Sequence, residues 1–242
     1  MSSLKNQVAV VTGASSGIGR AIALGLATKG ASLCLIGRNV SALKDVEEEA
    51  AVSGSRVKSY RVDLSKDDDI IKLRLSIQKD FRHINLLIHS AGAFSMGLIE
   101  SSSVADLDLQ YRVNLRAPYL LTQVLLPVMN AQDGQVVFIN SSVGLKSKAF
   151  VSQYAATKHA LRAVADSLRE EVNAKGLRVL SVYPGRTATP MQERVHRMEG
   201  KTYNPERFMQ PEDVAAVVIN ALSLPRTAEV TDMEIRPFMK FE

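Results

Sequence analysis

A chain of 242 residues with 46% hydrophobic content is long enough to bury one sizeable core and sits near the upper end for a single domain. The net charge of +5 comes from 30 basic residues that are spread out and interrupted by acidic runs such as Glu47-Glu48-Glu49 and Asp67-Asp68-Asp69. With only 5% aromatic residues as well, this argues against a nucleic-acid partner, which calls for clustered cations or a stacking platform. No stretch is long and apolar enough to span a bilayer, and no signal-peptide pattern precedes the first apolar strand. The one cysteine, Cys34, lies in the apolar run Leu33-Cys34-Leu35-Ile36 and reads as a buried small hydrophobe. These features point to the cytoplasm and to no membrane partner. His83, His89, His159 and His196 show no metal-ligand spacing among themselves or with Cys34, so no metal is expected.

Val8-Ala9-Val10-Val11 has the pattern of a strand buried on both faces. It runs into Thr12-Gly13-Ala14-Ser15-Ser16-Gly17-Ile18-Gly19, and a helix is predicted over 20–29, stopped by Gly30. Strand, Gly-rich turn and helix N-terminus together form an anion site, since backbone N–H groups point outward and the macrodipole favours a phosphate. In that reading Gly13 permits the tight turn, Gly17 lets the backbone approach a ligand, and Gly19 lets helix and strand pack closely. A second strand over 33–36 ends at Gly37-Arg38. In a βαβ dinucleotide site this strand end meets the adenine ribose, where an acid binds the 2′-hydroxyl and an arginine accommodates a 2′-phosphate. Gly37 leaves no acid and Arg38 offers a permanently charged planar fork, so NADP(H) is favoured over NAD(H). The plain alternative is a solvated arginine at a strand end.

A helix over 41–53 and a strand over 56–62 follow. Asp63-Leu64 closes that strand, and Ser65 is expected to cap a helix carrying Ile70, Leu73, Ile77 and Phe81 on one side. The fourth strand, 84–88, ends at His89-Ser90-Ala91-Gly92, where His89 reads as a structural hydrogen-bonding residue. A helix is predicted over 105–130 with Pro118 well inside it. A proline has no N–H to give to the carbonyl four residues back, which belongs to Asn114, so the helix should kink there and leave that oxygen to another donor. A tolerated kink without chemistry is the alternative. The fifth strand, 135–139, ends at Asn140-Ser141-Ser142, and the sixth, 177–182, leads into Tyr183-Pro184-Gly185-Arg186-Thr187-Ala188-Thr189. The stretch 190–210 is poorly periodic. A helix from Pro211 and a short strand over 230–235 finish the chain, with no repeat, low-complexity segment or linker.

Between the fifth and sixth strands lies a helix from Tyr154 to about residue 175, stopped by Gly176. Residues four apart share a helix face, so the Tyr154 phenol and the Lys158 ammonium are neighbours. A phenol titrates near ~10, and lowering it by about three units needs roughly 4 kcal/mol of preferential stabilisation of the phenolate. A nearby fixed cation is the direct way to supply that. A surface pair sharing a face by chance is the bland alternative.

The alternation of strands and helices predicts an α/β architecture: a single-domain, doubly wound (Rossmann) parallel sheet with helices on both faces. Residues 1–110 would form its cofactor half and residues 111–242 its catalytic and substrate half. Ligands bind at the carboxyl ends of such strands, and the conspicuous polar clusters all lie at those ends. Together these motifs resemble the short-chain dehydrogenase/reductase family in its short single-domain branch, over nearly all of residues 5–190. Ser141 lies thirteen residues before Tyr154 and three before Gly144, as in the family's serine motif, which favours it over Ser142. Tyr154 and Lys158 match its Tyr-x-x-x-Lys, and Asn114 its helix asparagine. The family's usual Asn-Asn-Ala-Gly stands here as His89-Ser90-Ala91-Gly92, which implies a changed hydrogen-bond pattern with activity kept. The end of the chain, Glu234 to Glu242, lacks the glycine-rich segment of many members, which weighs against tetramer packing through the C-terminus and against an acyl-carrier substrate.

The resemblance implies an enzyme moving a hydride between NADP(H) and a carbonyl or secondary-alcohol substrate. It casts Tyr154 as general acid-base and Lys158 as the group that tunes the phenol and binds the nicotinamide ribose. Ser141 would polarise the carbonyl oxygen, and Asn114 would anchor a water linking Lys158 to solvent. Cofactor contacts are implied for Gly13, Ser15, Ser16, Gly17, Ile18, Gly19, Arg38, Asp63, Leu64, Ala91, Gly92, Tyr154, Lys158, Pro184, Gly185, Thr187 and Thr189. A homo-oligomer, dimer or tetramer, is implied through the Asn114 and Tyr154 helices. The segment 186–210 is expected to cover the active site without strong regular structure. An alternative is an NAD(P)-binding redox sensor without turnover. An epimerase or dehydratase of the longer branch is disfavoured by the glycine spacing and the short C-terminal region.

Overall fold

The apolar runs become strands β1 (Val8–Thr12), β2 (Ser32–Gly37), β3 (Val57–Arg61), β4 (Leu86–His89), β5 (Gln135–Ile139), β6 (Arg178–Pro184) and β7 (Asp232–Ile235) in a computed structural model that describes residues 4–239. All pair in parallel in the order β3-β2-β1-β4-β5-β6-β7. The chain therefore reverses its direction of winding between β1 and β4, and the crevice outside their carboxyl ends is where open α/β sheets bind ligands.

Side chains alternate across the sheet with a period of two. Ala9, Val11, Leu33, Leu35, Leu86 and Ile88 enter one core with α1 (Gly17–Thr28), α2 (Val40–Ala51) and α8 (Pro211–Leu222). Val10, Cys34, Ile36, Leu87, Val136 and Phe138 enter the other, with α3 (Asp67–Asp80), α5 (Ala117–Leu125) and α6 (Ser152–Val172). Each fully buried side chain of the Ile22 or Leu26 kind contributes roughly 1.5–3 kcal/mol. Cys34 is fully buried, as its apolar surroundings predict.

Several local expectations change. Ser65 does not cap α3: its N–H and hydroxyl both bond Asp63 Oδ1, at 3.0 and 2.7 Å, so the chain turns first and Lys66 becomes the N-cap. Phe81 lies just past that helix and is still buried. The helix expected over 105–130 is split into α4 (Val104–Tyr111), a π turn (Arg112–Arg116), α5 and a 3₁₀ turn (Leu126–Val128). The reason is Pro118. In the π turn the N–H of Ala117 reaches back five residues to Arg112, and Pro118 then falls in the first turn of α5, where its missing N–H costs little.

The segment expected to lack regular structure contains α7 (Pro190–Glu199). Its start and stop signals stand in the sequence: Thr189 caps it by accepting from Gln192 N–H at 3.1 Å, Pro190 is its first residue, and Gly200 ends it in the left-handed region. Apolar periodicity alone passes over it because its exposed face is heavily charged. Among the described residues no helix is long and apolar enough to cross a membrane. Residues 240–242 of the tail noted above lie outside the described residues.

Candidate active site

Thr12 ends β1 and ties the switch point together. Its Oγ1 accepts from the N–H groups of Ser90 and Ala91 at 3.0 and 3.1 Å and donates to Ile88 O at 3.3 Å. The turn that follows leaves no room for a side chain at its three glycines. A Cβ on Gly13, whose φ is +67°, would lie 2.9 Å from the Ala91 backbone, and one on Gly19 would lie 2.4 Å from the Gly13 carbonyl oxygen. At Gly17, φ is +53° and a Cβ would meet the Thr189 methyl at 3.0 Å. The turn is thus held close to Ala91 at Gly13 and to Thr189 at Gly17. Ile18 packs against the core.

Beyond the ends of β2 and β3, Arg38, Arg61, Val62, Asp63, Lys66 and Asp69 line a cleft of ≈ 320 Å³. Three cations and two acids therefore face one another around Arg38. Hydrogen bonds from Ser65, with Lys66 and Arg38 nearby, hold the Asp63 carboxyl below the usual range. Leu64 packs onto the core behind it. Arg61 and Lys66 carry no motif; they were legible only as cations near a strand end.

Tyr154 and Lys158 lie in the first turns of α6, 9% and 3% exposed, with the Lys158 Nζ 5.7 Å from the phenol ring centre. The ammonium donates to Ile139 O at the end of β5, at 3.0 Å. Burial lowers its pKa from 10.5 to about 8. Burial also pushes the Tyr154 phenol up to about 12, and the neighbouring Ser141 hydroxyl acts in the other direction. The expected lowering of the phenol by Lys158 is thus not what the protein alone displays. The lysine is desolvated together with the phenol and turns one N–H to a backbone carbonyl, so burial dominates the balance at the hydroxyl. Ser141 rather than Ser142 is the serine beside the phenol; Ser142 heads a 3₁₀ turn (Ser142–Gly144) that Ser141 caps.

The fully buried Asn114 sits in the π turn, where its side chain is used up. Its Oδ1 accepts from Ala93 N–H at 2.7 Å, and its Nδ2 donates to Ala93 O and Thr157 Oγ1 at 2.9 and 3.1 Å. It fastens the loop after β4 to α6 one residue before Lys158. Asn140, not singled out in the sequence, does the same from the other side by donating to the Lys158 carbonyl at 3.0 Å. A Cβ on Gly144 would lie 2.5 Å from its Oδ1, so that turn is glycine by necessity. Phe94 meets the Tyr154 ring edge-on at 4.9 Å and walls the phenol on the loop side. His89 is buried as expected: its Nε2 is 2.8 Å from Thr122 Oγ1, its ring stacks on Phe138, and burial takes its pKa down to about 3.

Pro184 ends β6, and the Gly185 N–H that follows donates to Ile235 O at 2.8 Å. Thr187 is buried and its hydroxyl donates to Gly185 O at 3.2 Å, while Thr189 turns towards Gly17. The structure therefore gathers the predicted residues in two places at the carboxyl ends of the strands, the Arg38–Asp63 cleft and the Tyr154–Lys158 pair, with the glycine turn near Ala91 and Thr189. Among the described residues no cluster of three or more His, Cys, Asp or Glu could hold a metal ion.

The family model for short chain dehydrogenases matches residues 7–200. The chain belongs to the short-chain dehydrogenase/reductase family. An uncharacterized oxidoreductase of Staphylococcus epidermidis is 32% identical over 238 residues, covering 98% of this chain and 100% of the relative. Among solved structures, an alcohol dehydrogenase from Thermococcus sibiricus complexed with 5-hydroxy-NADP superimposes with a TM-score of 0.89 at 25% identity, covering 98% and 99% of the two chains. A metagenomic short-chain oxidoreductase in complex with NADP gives 0.85 at 32% identity, covering 99% and 100%. Levodione reductase gives 0.88 at 26%, covering 96% of each. The protein is an oxidoreductase of this family.

Proposed function

We propose that this short-chain dehydrogenase/reductase interconverts a carbonyl compound and a secondary alcohol with NADP(H) in preference to NAD(H), the whole chain acting as one catalytic unit. The observation that carries the reading is the buried Tyr154–Lys158 pair with Ser141 beside the phenol, at the carboxyl end of β5, with a turn closed to side chains at its glycines at the carboxyl end of β1.

The residues suit a dinucleotide. The backbone N–H groups from Ser15 to Gly19 would take the pyrophosphate at the N-terminus of α1. Asp63 and Leu64 would meet the adenine, and Arg38, with Arg61 and Lys66 in the same cleft, a 2′-phosphate. Ala91, Gly92, Pro184, Gly185, Thr187 and Thr189 would line the nicotinamide end, with Tyr154 and Lys158 near its ribose. When bound, the cofactor supplies the hydride chemistry. Ser141 holds and polarises the carbonyl oxygen, and the Tyr154 hydroxyl donates its proton there as negative charge develops, or accepts one in the reverse direction. A phenol kept protonated by burial is the acid that reduction needs. Lys158, still mostly charged near neutral pH but with its pKa lowered towards it, gives and takes back a proton, and the Asn114 backbone beside it in the π turn would anchor a water leading to solvent. Exposed Val104, Tyr111 and Tyr119 on α4 and α5 are consistent with a homo-oligomer through those helices. The cytoplasm suits a chain whose only cysteine is buried and unpaired.

The test is Tyr154→Phe against a panel of aldehydes and ketones with NADPH. Turnover should fall by about 10²–10⁴-fold with cofactor affinity kept. Wild-type turnover in that variant refutes the acid-base role, and binding without any cofactor oxidation across the panel favours the redox-sensor reading.

A further inference from the structure

Next to Tyr154 lies a buried amide that the proposed chemistry does not use. Gln110 is 1% exposed and is the one buried residue of α4. Its Oε1 accepts from the N–H of Ser95, on the loop after β4, at 3.2 Å. Its Nε2 donates to Gln153 Oε1 at 3.0 Å and to the Asp106 carbonyl oxygen at 3.3 Å. Gln153 stands directly before Tyr154 in the first turn of α6. Its own Nε2 donates at 2.9 Å to the carbonyl oxygen of Ser103, the N-cap of α4. The Ser95 hydroxyl donates to Asp106 Oδ2 at 2.9 Å, which ties the loop to α4 a second time.

Neither amide can be reversed. With Gln110 turned over, its NH2 would face the Ser95 N–H and its oxygen would face the oxygens of Gln153 and Asp106. Gln153 turned over would set its oxygen against the Ser103 carbonyl. Backbone groups at both ends therefore fix which atoms donate. The same pattern recurs one turn along. Asn114, four residues after Gln110, joins Ala93 to Thr157, four residues after Gln153. These are two rungs between the loop after β4 and the start of α6. In sequence, Phe94 falls between the loop contacts at Ala93 and Ser95, and Tyr154 between the helix contacts at Gln153 and Thr157. Their rings meet edge-on at 4.9 Å, so the phenol and its wall are the two side chains that the rungs bracket. One rung leaves the loop and α6 free to pivot about it, and the second sets the angle between them.

We propose that Gln110 is a positioning residue for the reaction. Acting through Gln153 and Ser95, it holds the first turn of α6 at a fixed angle to the Phe94 loop, and so places the Tyr154 hydroxyl against the substrate's carbonyl oxygen. None of its partners is among the residues proposed to hold the dinucleotide, so its loss should slow the chemical step and spare cofactor binding. The effect on turnover rests on the carbonyl-reductase reading; the placement of the two rings does not.

Gln110→Met keeps the length of the side chain and removes its hydrogen bonds to Ser95, Gln153 and Asp106. With NADPH and a carbonyl substrate, its kcat should fall by about ten- to a hundredfold while the Kd for NADPH stays within about twofold of the wild type. Wild-type kcat in the folded variant, or an NADPH Kd that rises as kcat falls, overturns the proposal. Gln110→Glu gives a readout that a loosened fold would not. Its protonated carboxyl keeps an acceptor for Ser95 and a donor for Gln153, whereas the carboxylate turns a negative oxygen on Gln153 Oε1. Burial raises the pKa of such a carboxyl, so kcat relative to the wild type should climb as the pH falls from about 8 to about 6. A ratio that is flat with pH counts against the proposal, and this variant decides alone if Gln110→Met does not fold. In protein with isotope-labelled Phe and Tyr and no ligand, the Phe94–Tyr154 ring contact, read as an NOE, should be present in the wild type and lost in Gln110→Met. A contact unchanged between the two refutes the positioning whatever the reaction. Absence of turnover by the wild type across the carbonyl panel counts against the reductase reading and leaves the ring result standing.

Discussion

Replacing Lys158 by methionine keeps the stem and removes the charge, and the structure fixes what this should do to stability. The ammonium is 3% exposed, and burial takes its pKa from 10.5 to about 8. A base whose pKa falls on folding binds fewer protons in the native than in the unfolded state between those two values. Stability therefore rises with pH from 8 to 10.5, and the full penalty is present below pH 8. At 1.36 kcal/mol per unit, the penalty is about 3 kcal/mol at pH 7 and about 1 kcal/mol at pH 10. Against it stands the bond from Nζ to Ile139 O at 3.0 Å. Methionine orphans that carbonyl at a cost of about 1–3 kcal/mol. The variant should therefore be as stable as the wild type at pH 7, or more stable by up to about 2 kcal/mol, and should lose about 2 kcal/mol of that standing by pH 10. Chemical denaturation of both proteins at the two pH values measures this. Tyr154 titrates above this window in both and cancels. A wild type-to-variant difference that is independent of pH, or that moves further in the variant's favour at pH 10, refutes the reasoning. A stabilised protein without turnover is the expected mark of a lysine kept for function.

Four further outcomes follow from the geometry. Arg38→Leu should weaken NADPH binding by about tenfold or more and leave NADH binding nearly unchanged, read by fluorescence titration of both; an equal loss for the two removes the 2′-phosphate assignment. Gly19→Ala should cost about 1–3 kcal/mol because its methyl meets the unyielding Gly13 carbonyl at 2.4 Å. Gly25→Ala, opposed at 2.3 Å only by the tip of Ile219, should be close to neutral, since the side chain can turn aside and alanine favours the helix. Thermal melts of the two compare them directly. Asn114→Leu should cost about 2–5 kcal/mol by orphaning the N–H and carbonyl of Ala93, a loss measurable by denaturant titration.

What the sequence by itself determined is the part written in local order. Apolar runs of five residues became buried parallel strands because alternate side chains feed both cores, as Val10 and Val11 do. The glycine turn was legible because its φ angles and close approaches admit no other residue, and Tyr154 and Lys158 because four residues make one helical turn. Pro118 announced an irregularity, but its form, a π turn that carries Asn114 to Ala93 and Thr157, was set by contacts across 21 and 43 residues. The acid-base balance was likewise outside the sequence. A fixed cation beside a phenol predicts a lowered pKa, yet both groups are desolvated together, and burial raises the pKa of the phenol and lowers that of the lysine. His196 carried no motif in the sequence; folding placed it beside the stacked rings of Tyr203 and Phe208 and 3.3 Å from Arg186. Spacing along the chain decides which side chains share a face, whereas burial and distant partners decide which protons they hold.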